Sequence, residues 1–249
     1  MNTPAILITG ALTGIGRATA LAFAADGARL VVSGRRDEAG HALAAELRGL
    51  GVEAEFIRAD VRHEADVRAL VEQTVARFGR LDAAINNAGT EGQLGPVAEQ
   101  TVDNYEATFA TNVLGTLLSM KHEMRAMQAQ GHGAIVNVSS IAGHVGIAGA
   151  SVYVASKHAV EGMTRAVALE GAPAGIRVNA VAPGPVATDM LDRFVGNDEA
   201  AKQGFLSTIP ARRAASVDEI AQTIVFLAGD KARYLTGQIV AVDGGYSAQ

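Results

Sequence analysis

Tyr153 and Lys157 stand four residues apart at the end of the stretch that begins at Ser140. On a helix that spacing puts both side chains on one face, close enough to interact. A free tyrosine has a pKa of about 10 and is a weak acid–base group at neutral pH. An ammonium group nearby favours the phenolate and draws that pKa toward the working range. Ser140 precedes the tyrosine across an Ala/Gly-rich loop that can fold back and bring its hydroxyl beside the phenol. Two hydroxyls and an ammonium suit a carbonyl oxygen that gains negative charge and then a proton. A Tyr-x-x-x-Lys pair alone is a common accident on a helix surface, so its meaning depends on the elements that position it.

Those elements follow a regular alternation. Short apolar runs at 5–9, 29–33, 54–58, 83–86, 134–139, 177–182 and 238–242 are separated by helical patterns at 15–25, 39–50, 64–78, two stretches within 101–129, 152–172 and 217–228. Continuous Val/Ile/Leu runs predict strands buried on both faces, and the alternation with helices predicts a parallel sheet. Ser216 and Glu219 have the spacing of a capping box for the last long helix. The segment 184–215, rich in Pro, Gly and charge, is the least regular and is long enough to form an active-site lid. With 249 residues, 49% of them hydrophobic and no linker or repeat, the expectation is a single domain over 1–249. A net charge of −5 offers no electrostatic attraction to nucleic acid or an anionic membrane. The chain has no cysteine, which excludes disulfides and thiolate chemistry. The first ten residues read as a strand rather than a leader, no window is long and apolar enough to span a bilayer, and a cytoplasmic location is expected.

The first turn, Thr9-Gly10-Ala11-Leu12-Thr13-Gly14-Ile15-Gly16, follows a predicted strand and opens a predicted helix. Glycines there let the backbone approach a pyrophosphate, and the helix amides receive the anion. The second strand ends Ser33-Gly34-Arg35-Arg36. An acid at this place binds a ribose 2′-hydroxyl, whereas an arginine accommodates a 2′-phosphate. Gly34 stands at the acidic position, so NADP(H) is the expected cofactor, selected mainly by Arg35 with Ser33 and Arg36 as secondary candidates, and NAD(H) is expected to work less well. The alternative is that Arg35 only stacks on the adenine face, in which case both cofactors serve equally. Asp60-Val61 and Asn86-Asn87-Ala88-Gly89 end the third and fourth strands, where small residues let the backbone lie against a cofactor.

In order and spacing these marks resemble the short-chain dehydrogenase/reductase family over essentially the whole chain. They are Thr9-Gly10-x-x-x-Gly14-x-Gly16, Asp60, Asn87-Ala88-Gly89, Asn112, Ser140, Tyr153-x-x-x-Lys157, Pro183-Gly184 with Thr188, and Asp243-Gly244-Gly245. The resemblance implies an α/β fold, a single Rossmann-type doubly wound seven-stranded parallel sheet with helices on both faces, and usually a homotetramer. It implies Tyr153 as acid–base, Ser140 as hydrogen-bond partner of the substrate oxygen, Lys157 as holder of the nicotinamide ribose, and Asn112 as keeper of a proton-relay water. The cofactor contacts it implies, together with those read from the turn and the second strand, are Gly10, Thr13, Gly14, Ile15, Gly16, Ser33, Arg35, Arg36, Asp60, Val61, Asn87, Ala88, Gly89, Tyr153, Lys157, Pro183, Gly184, Val186 and Thr188. Leu12-Thr13 departs from the small polar residues the family usually carries there, which puts the local packing of the turn in question.

No His-x-x-x-His pair marks a helical zinc site, and no metal is expected. The six histidines are expected mostly at the surface, with His144, just after Ser140, as a candidate substrate contact. An oxidoreductase acting on a carbonyl or secondary alcohol stands against a dinucleotide-sensing or scaffold protein that kept the fold. The intact Asn112, Ser140, Tyr153 and Lys157 favour the enzyme, since a sensor needs neither hydroxyl. Within the enzyme class the pattern resembles 3-oxoacyl-carrier-protein reductases. Gln130-Gly131-His132-Gly133 and Pro173-Ala174-Gly175 lack the arginines those enzymes place near the active-site entrance, although Arg125 or Arg193 can substitute. A small free ketone or hydroxy compound is therefore the expected substrate.

Overall fold

The computed structural model describes residues 3–196 and 198–249. Seven parallel strands form one sheet in the order β3-β2-β1-β4-β5-β6-β7. They are β1 (Ala5–Thr9), β2 (Arg29–Gly34), β3 (Ala54–Arg58), β4 (Ala83–Asn86), β5 (Gly133–Val138), β6 (Ile176–Pro183) and β7 (Ile239–Val242). The order reverses direction at β1, and a doubly wound sheet opens a crevice between the carboxyl ends of the strands at that point. Successive side chains of a strand point to opposite faces. Ile6, Ile8, Leu30 and Val32 accordingly join one buried cluster, with Phe23, Leu47 and Ile224. Leu7, Val31 and Ile135 join another, with Leu70, Met120 and Met127. The first cluster is covered by α1 (Gly14–Ala25), α2 (Asp37–Gly49) and α9 (Val217–Ala228), the second by α3 (Glu64–Phe78), α5 (Gly115–Gln130) and α6 (Ser151–Gly171). The apolar runs from β1 to β6 therefore belong to strands largely buried on both sides, as parallel sheets require, whereas the edge strand β7 is only partly covered.

Most predicted boundaries fall within two residues of the observed ones. The helix α2 starts at Asp37, where Asp37 and Glu38 occupy the first turn and favour the positive end of the helix dipole. The two predicted helices within 101–129 are α4 (Val102–Phe109) and α5, joined by a π-helical turn at Ala110–Leu114. Ser216 and Glu219 cap α9 reciprocally, as the sequence predicts. The segment 184–215 is more ordered than expected. It contains α7 (Asp189–Phe194) and α8 (Glu199–Ser207), and a bridge between Val186 and Ala215 ties its two ends together. Among the described residues no helix is long and apolar enough to cross a membrane, and no cluster of His, Cys, Asp and Glu has a metal-binding arrangement.

Candidate active site

Two adjoining clefts open along the carboxyl ends of the strands. One is bounded by the Gly10–Ile15 turn, Ser33 to Arg36, Ala59 to Val61, Asn87 to Gly89 and Thr188. The other is bounded by Ser140, Ile141, Ile147, Tyr153 and Lys157 on one side and by residues from Pro183 to Phe205 on the other. Ile15, Asn87, Gly89, Thr188 and Met190 border both, so the two clefts are continuous.

The first cleft fits a dinucleotide. Gly10 has φ +62°, and a Cβ there would lie 2.7 Å from the Ala88 Cα. A Cβ on Gly16 would run into the Gly10 carbonyl and the Asn87 amide, so Gly16 serves the packing of the turn and does not border the cleft. Asn87 braces the turn, its Nδ2 donating to the Gly10 carbonyl at 2.8 Å. Thr13 opens α1 without a side-chain cap bond, which leaves the helix N-terminus to an anion. Arg35 and Arg36 are exposed at the mouth of this cleft. A Cβ on Gly34 would stand 2.7 Å from Leu12 Cδ1, so a side chain there would require Leu12 to shift. Leu12, the departure from the family turn, thus packs into the space beside Gly34. Ser33 is 2% exposed and its hydroxyl donates to the Ile57 carbonyl at 2.7 Å, which commits it to the sheet. Asp60 binds Arg62 through both carboxylate oxygens, and this hydrogen bonding holds its pKa down at about 2.

The second cleft holds the hydroxyl pair. The Ser140 Oγ accepts from the Ala142 amide at 3.2 Å, and Ser140 and Tyr153 line the cleft together. Lys157 donates from Nζ to the Val138 carbonyl at 2.9 Å and lies 5.7 Å from the Tyr153 ring centroid. The expected drop in the tyrosine pKa is overturned. Desolvation pushes the phenol up to about 12; the Ser140 hydrogen bond lowers it, and the Glu91 charge raises it further. Burial also brings the Lys157 ammonium down to about 8, against the raising influence of Glu161. The preference of water for charge outweighs the mutual effect of the two groups. Asn112 sits in the π-helical turn, 1% exposed. Its Oδ1 accepts from the Thr90 amide at 2.9 Å, and its Nδ2 donates to the Thr90 carbonyl and to Ser156 Oγ. These bonds tie the chain after β4 to α6.

His144 turns away from the cleft. Its Nδ1 lies 3.1 Å from Glu161 Oε2, and His144 does not border the cleft where its reading as a candidate substrate contact would put it. His122 is buried rather than at the surface. The segments 130–133 and 173–175 precede β5 and β6 and so lie at the amino edge of the sheet, opposite Ser140, where a Cβ on Gly175 would be 3.0 Å from the Gly131 carbonyl. They do not border this chain's own cleft, and their lack of arginine says nothing about its entrance. Arg193 is engaged within the chain, its Nε 2.5 Å from Glu91 Oε1.

Several residues near the site were not legible in sequence. Glu161, one turn beyond Lys157, is buried, accepts from Ser139 Oγ at 2.9 Å and meets His144 and Arg165. It thereby fastens the loop carrying Ser140 to the helix carrying Tyr153. The closing Asp243-Gly244-Gly245 motif does not border either cleft. It packs beneath the ends of 184–215, where a Cβ on Gly184 would lie 2.8 Å from Asp243 Cα and the Ala211 amide donates to the Gly244 carbonyl at 3.0 Å.

A doubly wound sheet with a glycine turn, joined to a buried Ser–Tyr–Lys group, defines a dinucleotide-dependent oxidoreductase. A family model described as enoyl-(acyl carrier protein) reductase matches residues 10–247. Among curated relatives, a 2,5-dichloro-2,5-cyclohexadiene-1,4-diol dehydrogenase of Sphingobium indicum is 43% identical, covering 98% of this chain and 96% of its own. A cyclohexanol dehydrogenase of an Acinetobacter species is 39% identical, covering 100% and 96%. Among solved structures, levodione reductase superposes with a TM-score of 0.96 at 37% identity, covering 100% of this chain and 99% of its own. NAD+-bound xylitol dehydrogenase follows with a TM-score of 0.95 at 34% identity, covering 98% and 99%. NADP-bound ElxO has a TM-score of 0.92 at 34% identity, covering 100% of both chains. The chain belongs to the short-chain dehydrogenase/reductase family, and it is an oxidoreductase of the class that acts on CH–OH groups with a nicotinamide dinucleotide.

Proposed function

We propose that this chain, acting as one catalytic domain with 184–215 as its lid, interconverts a small free ketone and a secondary alcohol with NADP(H) in preference to NAD(H). The observation that carries the reaction is the meeting of Ser140, Tyr153 and Lys157 in a cleft continuous with the dinucleotide cleft. A bound nicotinamide dinucleotide supplies or accepts the hydride. The chain's own groups handle the oxygen. Ser140 donates a hydrogen bond to the substrate oxygen, which strengthens as charge develops there. Tyr153 gives its phenolic proton to that oxygen in reduction and takes it back in oxidation. Lys157 holds the ribose and supplies positive charge beside the phenol, while Asn112 keeps the relay water of the family in reach of Lys157. Gly10, Thr13, Gly14, Ile15, Asp60, Val61, Asn87, Ala88, Gly89 and Thr188 border the cofactor cleft, Gly16 packs its turn, and Pro183, Gly184 and Val186 border the adjoining cleft where the nicotinamide end would lie. The two alicyclic-alcohol dehydrogenases among the relatives support a small free substrate.

The cofactor preference rests on Arg35. It stands exposed at the end of β2, and Leu12 packs where an acid's side chain at 34 would begin. A guanidinium pairs with a phosphate through charge-assisted hydrogen bonds worth about 1.5–3 kcal/mol, lowered by exposure. The expected preference is therefore roughly ten- to a hundredfold. It is read from kcat/KM with NADPH and with NADH, and Arg35→Ala should erase it by weakening NADPH alone. Equal use of both cofactors by the parent protein overturns the assignment. Gly34→Asp is a poor companion variant because it also displaces Leu12.

A further inference from the structure

The cleft beyond Ser140 and Tyr153 has a marked chemical character. Its walls are Ile141 and Ile147 on one side and Met190, Leu191, Phe194 and Phe205 on the other. The rings of Phe194 and Phe205, from α7 and α8, stack at 6.4 Å with 27° between their planes. The polar side chains around the cleft have partners within the protein. Asn87 donates to Gly10, Ser139 to Glu161, Lys157 to Val138 and Thr188 to Val186, and the Thr90 hydroxyl accepts from Gly92. Ser140 and Tyr153 present hydroxyls to the cleft. Lys157 is the one cation among the described lining residues. The cations near α7 and α8 are matched as well, Arg193 by Glu91 and Lys202 by Asp192.

We infer that the substrate carries its carbonyl or carbinol on an uncharged, apolar body of about one ring, gripped between Phe194 and Phe205 of the lid and the Ile141–Ile147 wall. The inference rests on the oxidoreductase reading and deepens it. A carboxylate or phosphate entering this cleft would lose its hydration with no cation but Lys157 on the described walls, and Lys157 is assigned to the cofactor ribose. Extra hydroxyls, as on a polyol or sugar acid, would face mainly Ile, Met, Leu and Phe side chains, and an apolar pocket discriminates against an added hydroxyl by about a hundredfold at most. The expected order is neutral ring first, polyol second and ring carboxylate last.

The test is steady-state kinetics with saturating cofactor on two pairs of probes and on a lid variant. Cyclohexanone should exceed 4-oxocyclohexanecarboxylate in kcat/KM by at least about a hundredfold. Cyclohexanol should exceed xylitol by roughly ten- to a hundredfold. Phe205→Ala should raise KM for cyclohexanone about tenfold while leaving KM for the cofactor unchanged. If that variant does not fold, Phe205→Leu keeps most of the apolar volume and should raise KM by a smaller factor. The inference is overturned if the carboxylate or xylitol is used as well as the neutral ring, or if the folded variant keeps the parent KM. If charged or polyhydroxylated substrates turn over and neutral rings do not, this inference fails while the oxidoreductase reading stands. If the protein binds NADPH and turns over no alcohol or ketone of any kind, the oxidoreductase reading fails and this inference falls with it.

Discussion

Desolvation sets the resting protonation of the Tyr153 phenol. Pushed up to about 12, it is fully protonated at neutral pH and stands ready as the acid for carbonyl reduction. Alcohol oxidation needs the phenolate, so kcat/KM for oxidation should climb with pH through the alkaline range while reduction stays level around neutrality. Tyr153→Phe removes the transferable proton and keeps the ring. Turnover in both directions should fall by about 10²–10⁴-fold, with NADPH binding measured by fluorescence titration nearly unchanged. Retention of close to full turnover would remove Tyr153 from the chemistry. Glu91 offers a second handle on the same group, because its negative charge raises the phenol's pKa from outside the hydroxyl pair. Glu91→Gln removes that charge. The phenol's pKa should fall, and the rising limb of the oxidation profile should move to lower pH relative to the parent. A limb that stays in place would mean the Glu91 charge is screened from the phenol.

At the scale of elements, the site is built where helices are fastened to strand ends by buried polar groups. Glu123 of α5 faces Asn86 at the end of β4, whose Nδ2 donates to Oε2 at 3.0 Å. Glu123 Oε1 and Asn86 Oδ1 are buried without a hydrogen-bond partner. Desolvation raises the Glu123 pKa from 4.5 to about 7, with the Asn86 hydrogen bond opposing it. An acid with a raised folded pKa contributes stability that is present below its unfolded value and lost as pH rises through the folded one. Glu123 therefore costs the fold stability above about pH 7. Glu123→Gln should raise Tm by roughly 5 °C at pH 8 and change it little at pH 4.5, as read by thermal denaturation. An equal shift at both pH values would show that ionisation is not the cause. The lid is fastened differently. Its two ends are held by main-chain bonds, Gly184 to Val242 and Ala211 to Gly244, and its α7 by the Arg193–Glu91 ion pair. Glu91 thus touches both the lid and the electrostatics of the phenol.

For the molecule as a whole, two apolar faces remain exposed. Tyr105 of α4, Leu117 of α5 and Leu169 of α6 are 50%, 46% and 78% exposed, the last two on helices that cover the second core cluster. Phe226 of α9 and Tyr234 are exposed on the other side. Large apolar side chains on separate faces of one chain are what a closed assembly with two kinds of interface would cover. The homotetramer implied by the family resemblance is therefore the expected state, with a mass by sedimentation equilibrium four times the 25.6 kDa of the chain. Leu117→Asp should reduce that mass to a smaller species by charging one face. A monomeric parent protein at micromolar concentration would contradict the expectation.

The amino-acid sequence by itself determined what depends on neighbours along the chain. The seven apolar runs marked the strands because burial in a parallel sheet makes apolar residues dominate them. The Tyr153–Lys157 spacing placed both side chains on one helix face, and the Gly10–Gly16 turn announced its strand–helix setting. Tertiary structure alone decided what depends on residues far apart. Leu12 fills the space beside Gly34 only because β1 and β2 lie side by side. His144 was read from its place next to Ser140, yet Glu161 on a different element claims it. Asp243-Gly244-Gly245 was a family mark in sequence, and packing makes it the footing of the lid. The tyrosine's pKa went against the sequence expectation because an ammonium beside a phenol can be counted along a helix, whereas the water each loses on burial is set by the whole fold. The apolar character of the substrate cleft also arises this way, since α7 and α8 carry its far wall and are separated from Ser140 and Tyr153 by the whole of β6.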